Sequence, residues 1–415
     1  MTLKATNIRK ELGNLSVAFY LNCQFVRSIL AAVVPGFTAH GIRFVIVISA
    51  VLFLLSVRKI AIGLYQILIP FVIVLYYLVT NYLFPGGSAI SFFEVFSYAI
   101  MPFFLTMLDV DMSKVVKLTL IITAPAMLVS NKIFVHLGSG FVIKMLLSYS
   151  ILFSASCGLT YLLYYRGYDR KASKFIYTVL CLPQIYYLFE MVSFGSRGPI
   201  LSLIVLLILI MYFKPDKKSD IINRHFSLSA LLFSIAAVLI IMFSEELLSI
   251  VSRYLGDHNI RIRSLDKMIR LSDEADVLHG RSDYYALALQ GFIDSPAFGK
   301  GFDMFATNTG LPYPHNFFLQ LAYDGGIILL ITVLVPVFQA SVRILAKKRF
   351  SLFVPWALLF SASVVGSLFS GDLWMRYVLW FFFAYSLRYG KKDVLRKMMK
   401  TISLQRRKKI VRIKG

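Results

Sequence analysis

Apolar residues run in long blocks along most of the chain, and the polar breaks between them are short. At about 20 residues per crossing, the blocks predict membrane helices over 14–35, 41–57, 60–84, 90–109, 114–131, 141–165, 174–194, 198–213, 226–244, 315–345, 352–370 and 372–389. Segments 41–57 and 198–213 are short for a crossing, whereas 315–345 is long enough to tilt or to begin outside the hydrocarbon. The fold class is an all-α polytopic membrane protein of about twelve transmembrane helices.

Alternate connections differ in charge, as the preference of Lys and Arg for the cytoplasmic side requires. One side receives Lys4/Arg9/Lys10, Arg58-Lys59, Lys114/Lys117, Arg166/Arg170/Lys171, Lys214/Lys217/Lys218/Arg224 and Lys347-Lys348-Arg349, together with the tail that holds Lys391-Lys392 and Arg406-Arg407-Lys408-Lys409. The other side has almost none, in 35–41, 85–91, 132–140, 195–198 and 371–372. Both termini are therefore expected in the cytoplasm. The one long polar segment, 245–314, faces outward, since long loops translocate regardless of charge.

This divides the chain into helices 1–9 over 1–244, an outer loop with amphipathic helices over 245–314, helices 10–12 over 315–389 and a basic cytoplasmic tail over 390–415. Within the loop, Ile262, Leu265 and Ile269 share a face that suits a helix lying on the membrane. A second helix is expected after Ser282, with Tyr285, Leu289, Phe292 and Ile293 on one face and a stop at Asp294-Ser295-Pro296. Gly299-Lys300-Gly301 then turns the chain.

Composition excludes a soluble protein. Of 415 residues 58% are hydrophobic and 16% charged, against about 25% charged in ordinary soluble domains. The net charge of +23 points to anionic membrane lipid rather than nucleic acid, because no tract joins the basic residues to stacking aromatics. Cys23, Cys157 and Cys181 lie far apart in apolar stretches without metal-site spacing, and read as buried thiols. The N-terminal region lacks a short apolar core followed by a small-residue cleavage site, so the first span is expected to stay as an anchor.

Candidate chemistry gathers on the outer side. Ser196-Arg197-Gly198-Pro199 joins spans seven and eight, Gly280-Arg281 opens the loop helix, and Pro314-His315-Asn316 precedes span ten. Each has a plainer reading: Arg197 as a snorkelling anchor, Arg281 as the partner of Asp283 in a surface ion pair, His315 as a structural hydrogen bonder, and Asn316 as the helix cap. Trp374 and Arg376 follow Gly371-Asp372 and are placed either to stack on a sugar and meet phosphate or to anchor the interface. The exception to the outward bias is Asp109-Val110-Asp111, which copies the metal-binding spacing of nucleotide-sugar enzymes. It sits on the basic side and reads as a helix-end feature. Glu94, Lys144, Glu190 and Arg27 interrupt apolar spans, where an ionisable group is costly unless it faces the bundle interior. They are second-tier candidates for lining a cavity.

Taken together, Ser196-Arg197-Gly198-Pro199, Gly280-Arg281-Ser282, the run from Ile293-Asp294-Ser295-Pro296-Ala297-Phe298 to Gly299-Lys300-Gly301, Tyr313-Pro314-His315-Asn316-Phe317-Phe318-Leu319 and Gly325-Gly326 resemble the signature region of bacterial O-antigen polymerases. O-antigen ligases share a related version. The resemblance implies a membrane-embedded glycosyltransferase of GT-C-like architecture, needing neither metal nor cofactor, in the inner membrane with its active site facing the periplasm. Its partners would be undecaprenyl-diphosphate-linked oligosaccharides, membrane lipids and a chain-length regulator. It further implies that Arg197 and Arg281 bind the donor diphosphate and that His315 is the catalytic base; Asn316, Trp374 and Arg376, by their position, are further candidates to bind substrate. Two alternatives stay open: a ligase that transfers the glycan to lipid A–core, and a flippase or secondary transporter. The latter should show related halves with a midplane site, and no internal repeat is visible here.

Overall fold

The computed structural model describes residues 2–34, 41–57, 62–85, 88, 90–129, 141–193, 197–215, 220–224, 254, 281–369 and 371–390. The expected ninth span, the Ile262–Leu265–Ile269 face, Ser196, Gly280 and the basic tail lie outside the described residues.

The helices are α1 Thr2–Leu21, α2 Cys23–Val33, α3 Gly41–Ser56, α4 Leu64–Leu83, α5 Phe92–Val95, α6 Met101–Leu105, α7 Met112–Thr123, α8 Phe141–Leu163, α9 Lys171–Val179, α10 Leu182–Ser193, α11 Arg197–Tyr212, α12 Arg281–Asp294, α13 Phe305–Thr309, α14 Phe317–Lys347, α15 Phe350–Leu359 and α16 Tyr377–Tyr389. A two-stranded antiparallel ribbon, β1 Phe213–Pro215 with β2 Ile222–Arg224, follows α11. Helices α4 and α14 are each long and apolar enough to cross a membrane, and α1 with α2 forms a third candidate bent by 75°. Shorter apolar helices cover Gly41–Ser56, Phe92–Leu105, Leu147–Leu163, Gly198–Tyr212 and Phe350–Val365.

Large apolar side chains remain exposed along the outward faces, including Leu64, Phe71 and Leu78 on α4 and Ile331, Val335, Phe338 and Val342 on α14. Such area is a liability in water and a natural face against hydrocarbon. Between helices, small polar residues make the contacts that packing in lipid favours. Ser16 and Ser49 donate to each other's carbonyls at 2.7 and 2.8 Å across α1 and α3. Ser154 donates to Gln184 Oε1 at 2.7 Å, and Gln184 Nε2 donates to Thr123 at 2.8 Å, tying α8, α10 and α7 together.

Several expected continuous spans are broken. The 14–35 block bends at Asn22, which is fully buried and whose amide donates to Ala18 O at 2.8 Å and Thr119 Oγ1 at 3.0 Å. The 90–109 block passes through a π-helical turn at Phe96–Ile100, and the 174–194 block is interrupted between α9 and α10. Glu94 serves a helix end. It forms a capping box with Ser91, accepting from Ser91 N at 3.0 Å and Ser91 Oγ at 2.8 Å, while Glu94 N donates back to Ser91 Oγ at 3.3 Å. Arg27 is half-buried on α2, and the side chains of Lys144 and Glu190 lie outside the described set.

Contacts divide the loops into two groups. At one end Lys10 pairs with Asp109, Glu11 with Lys114, Lys117 with Asp169, and Arg349 with Asp220. Asp111 accepts from Ser113 N at 3.0 Å as the cap of α7, so the Asp109–Asp111 pair serves a helix end. All of these belong to the connections expected on the basic side. A second group, made by Ile90, residues 371–376 and the described part of the expected outer loop from Arg281 on, gathers around α12 and the start of α14.

Candidate active site

The scaffold of this second group is a break in α14. Gly326 has φ 59° and ψ −159°, a combination that glycine alone adopts without strain. The loop after α12 takes up the amides that the break frees: Ile327 N donates to Pro296 O at 2.8 Å and Ile328 N to Ala297 O at 3.3 Å. In the other direction Lys300 N donates to Tyr323 O at 2.7 Å and Gly301 N to Asp324 O at 3.0 Å. Gly299, with φ 68°, lies so close to the Asp324 carbonyl that a Cβ would overlap it. Much of the signature run is therefore a brace between loop and helix.

Helix α12 starts at Arg281 and ends at Asp294, close to the expected bounds, but its inward face differs. Ala288 and Gly291 are buried against α14, where a Cβ on Gly291 would overlap the Tyr323 ring, whereas Leu289 and Ile293 are exposed. A small-residue seam has replaced the bulky apolar face as the packing surface.

The segment 371–376 is locked to α14 by Gln320, whose Nε2 donates to Asp372 Oδ1 at 2.9 Å and whose Oε1 accepts from Leu373 N at 2.7 Å. Trp374 Nε1 donates to Asp324 Oδ2 at 2.7 Å. Trp374 is fully buried, stacked on Phe302 at 3.8 Å and beside Trp380 at 5.6 Å. This corrects the expectation that it stacks on a sugar, because its faces are covered by protein. Asn316 is the cap of α14: its Oδ1 accepts from Phe318 N at 3.0 Å and Leu319 N at 3.3 Å, and its Nδ2 donates to Leu368 O at 3.5 Å.

His315 stands between these supports in the left-handed region, at φ 58°, which a non-glycine residue adopts only where its surroundings hold it. The Tyr313 and Tyr284 rings flank the imidazole at 4.5 and 5.2 Å. Nδ1 is buried and has no hydrogen-bond partner among the described residues. Burial, followed by the positive charges of Arg281 and Arg376, pushes the His315 pKa down to about 4, so the ring is neutral at pH 7.

The Arg376 guanidinium lies over the Tyr149 ring, 4.4 Å from its centre. Tyr149 in turn reaches the start of α11, where its hydroxyl occupies the space that a Cβ on Gly198 would need. The structure thus brings Arg281, His315 and Arg376 together from three segments and sets the first turn of α11, at Gly198, beside Tyr149, while the Arg197 side chain lies outside the described set. Neither Tyr149 nor Gln320 stands out in sequence, since each lies within an apolar block. Among the described residues no group of three His, Cys, Asp or Glu side chains is arranged to hold a metal ion.

Residues 185–334 match the family model described as O-antigen ligase. This region belongs to the O-antigen polymerase/ligase superfamily. The match takes in α11, α12, the brace and His315, so Arg197, Arg281 and the candidate base fall inside it while Tyr149 and Arg376 fall outside. The superfamily covers both polymerases and ligases, glycosyltransferase-like enzymes that act on lipid-linked oligosaccharides. No curated protein matches the chain.

Proposed function

We propose that the protein is an O-antigen polymerase. It transfers a growing glycan from undecaprenyl diphosphate to an undecaprenyl-diphosphate-linked repeat unit at the periplasmic face of the inner membrane, in a bundle of about twelve spans with both termini cytoplasmic. The observation that carries this reading is the His315 imidazole, neutral, with a buried and unpartnered Nδ1, facing arginines from two other segments.

In the reaction the acceptor hydroxyl oxygen bonds to the anomeric carbon of the donor, the bond from that carbon to the diphosphate oxygen breaks, and undecaprenyl diphosphate leaves. The hydroxyl proton passes to His315. Negative charge develops on the departing oxygen, and guanidinium groups meet it with paired hydrogen bonds. Arg197, Arg281 and Arg376 take this role. The arginines also tune the base. Burial, and then the charge of Arg281 and Arg376, keep His315 a weak base without substrate, and a bound diphosphate offsets that charge and returns part of the basicity as the acceptor arrives. Asn316 acts through its cap, which fixes the start of α14 next to His315.

The matched family, described as O-antigen ligase, supports a second reading, an O-antigen ligase acting on lipid A–core, which needs the same arginines and base. A deletion strain separates the two. Loss of a polymerase leaves lipopolysaccharide capped with a single repeat unit, because ligation continues; loss of a ligase leaves bare lipid A–core while full-length polymer accumulates on undecaprenyl diphosphate. The second pattern would move the protein to the ligase class.

A further inference from the structure

The site contains an aromatic residue to which the transfer reaction gives no task. Tyr149, on α8, lies beneath the Arg376 guanidinium at 4.4 Å, and three glycines are shaped around this pair. A Cβ on Gly198 would overlap the Tyr149 hydroxyl; one on Gly366 would sit 3.4 Å from Tyr149 Cε1; and one on Gly371, which has φ 101°, would collide with the guanidinium. The glycines come from the first turn of α11, from the segment after the π-helical turn Phe360–Val365, and from the connection before α16. Neither member of the pair falls within the matched region 185–334. The charge of Arg376 reaches Asp372 on its own connection and His315 at the head of α14.

We propose that Tyr149 is a positioning residue: its ring, packed against Gly198 and Gly366, holds the Arg376 guanidinium toward the substrate diphosphate. The inference rests on the reading above that Arg376 meets the diphosphate. A planar guanidinium stacked on a ring keeps its rotation fixed and its edge N–H donors aligned, which is what a two-point grip on phosphate oxygens needs. The hydroxyl contact makes position 198 a lever on the pair: a methyl there would press on Tyr149 and move its ring from Arg376. A merely space-filling tyrosine would leave the affinity for diphosphate unchanged when its ring is replaced.

The test uses the full-length protein in detergent and reads its affinity for undecaprenyl diphosphate beside transfer of labelled lipid-linked repeat units. Gly198→Ala should weaken binding by roughly tenfold, on the scale of a lost cation–π contact. Tyr149→Phe keeps the ring and should bind nearly as wild type, and combined with Gly198→Ala it should restore most of the loss, because the overlapping oxygen is gone. Tyr149→Leu and Arg376→Gln should each weaken binding by about 3- to 30-fold, and the double variant should be no worse than the weaker-binding single variant. Multiplying losses in the double variant, full affinity in Gly198→Ala, or failure of Tyr149→Phe to rescue it would each overturn the positioning role. Where Gly198→Ala does not insert, the Tyr149→Leu and Arg376→Gln cycle decides. A wild-type protein that binds undecaprenyl diphosphate but transfers nothing refutes the proposed function and leaves this inference intact. Transfer together with multiplying losses does the reverse, and a wild type that does not bind the lipid overturns both.

Discussion

His315 gathers the residue-scale argument into one group: a strained backbone, a buried unpartnered nitrogen and two cationic neighbours. Loss of a general base costs about 10²–10⁴ in rate, so His315→Ala and His315→Gln should insert normally and transfer almost nothing; either variant working at the wild-type rate would remove the base. The pKa makes a separate prediction with a definite sign. The folded value of about 4 lies below the ordinary 6.5, so the neutral form persists as pH falls and is lost only near 4. Arg281→Gln removes one of the charges that lower it, so the pKa should rise and His315 should protonate at higher pH. Carbethoxylation of His315 followed by mass spectrometry reads this free-base fraction without turnover, and an unchanged midpoint would contradict the proximity of Arg281. Arg281 and His315 were legible through the resemblance of their motifs to the polymerase signature, and Arg376 as a charge near the start of an apolar block. Trp374 misled: an indole is equally at home on a sugar or in a core, and Phe302, Trp380 and Asp324 claim it for the core.

At the scale of elements, the brace between residues 296–301 and the α14 break carries most of the signature glycines. Gly326→Ala would force a side chain into φ 59°, where a Cβ stands 2.6 Å from the Ala297 and Pro296 carbonyl groups. Such strain costs about 1–3 kcal/mol, so the variant should unfold at lower temperature in detergent and lose activity through displacement of His315; unchanged thermal unfolding would mean the brace does not hold the site. Ser91→Ala offers the contrast. Loss of a helix cap costs about 0.5–2 kcal/mol far from His315 in function, so stability should fall while the transfer rate of the folded protein persists. A tenfold fall in that rate would return Glu94 to the cavity-lining role. The sequence already contained this cap, as Ser91 followed three residues later by Glu94, but within an apolar block the acid drew notice as an intramembrane charge instead. The bend at Asn22 and the π-helical turn at Phe96–Ile100 were hidden similarly, because hydropathy continues through both.

For the molecule as a whole, apolar blocks announced a helical membrane protein, and the described ion pairs at one end join connections that charge assigns to the basic side. The sidedness proposed from charge has a direct test. A cysteine at exposed Gly167, where a Cβ meets nothing within 4 Å, belongs to the basic group, and one at exposed Thr307 to the other. With the outer membrane made permeable, an impermeant thiol reagent should label Thr307→Cys and spare Gly167→Cys; the reverse would invert the topology. What composition and spacing could not supply was the meeting of distant segments, since Tyr149 and Arg376, or Gln320 and Asp372, become neighbours only once the helices pack. The measurement that bears most directly on the central claim is elongation in a purified system. Wild-type protein in detergent, given labelled undecaprenyl-diphosphate-linked repeat units alone, should yield a ladder of longer lipid-linked glycans and free undecaprenyl diphosphate, and His315→Ala should yield neither. A wild-type protein that binds the repeat unit yet leaves it at its original length, with or without lipid A–core present, would contradict the account.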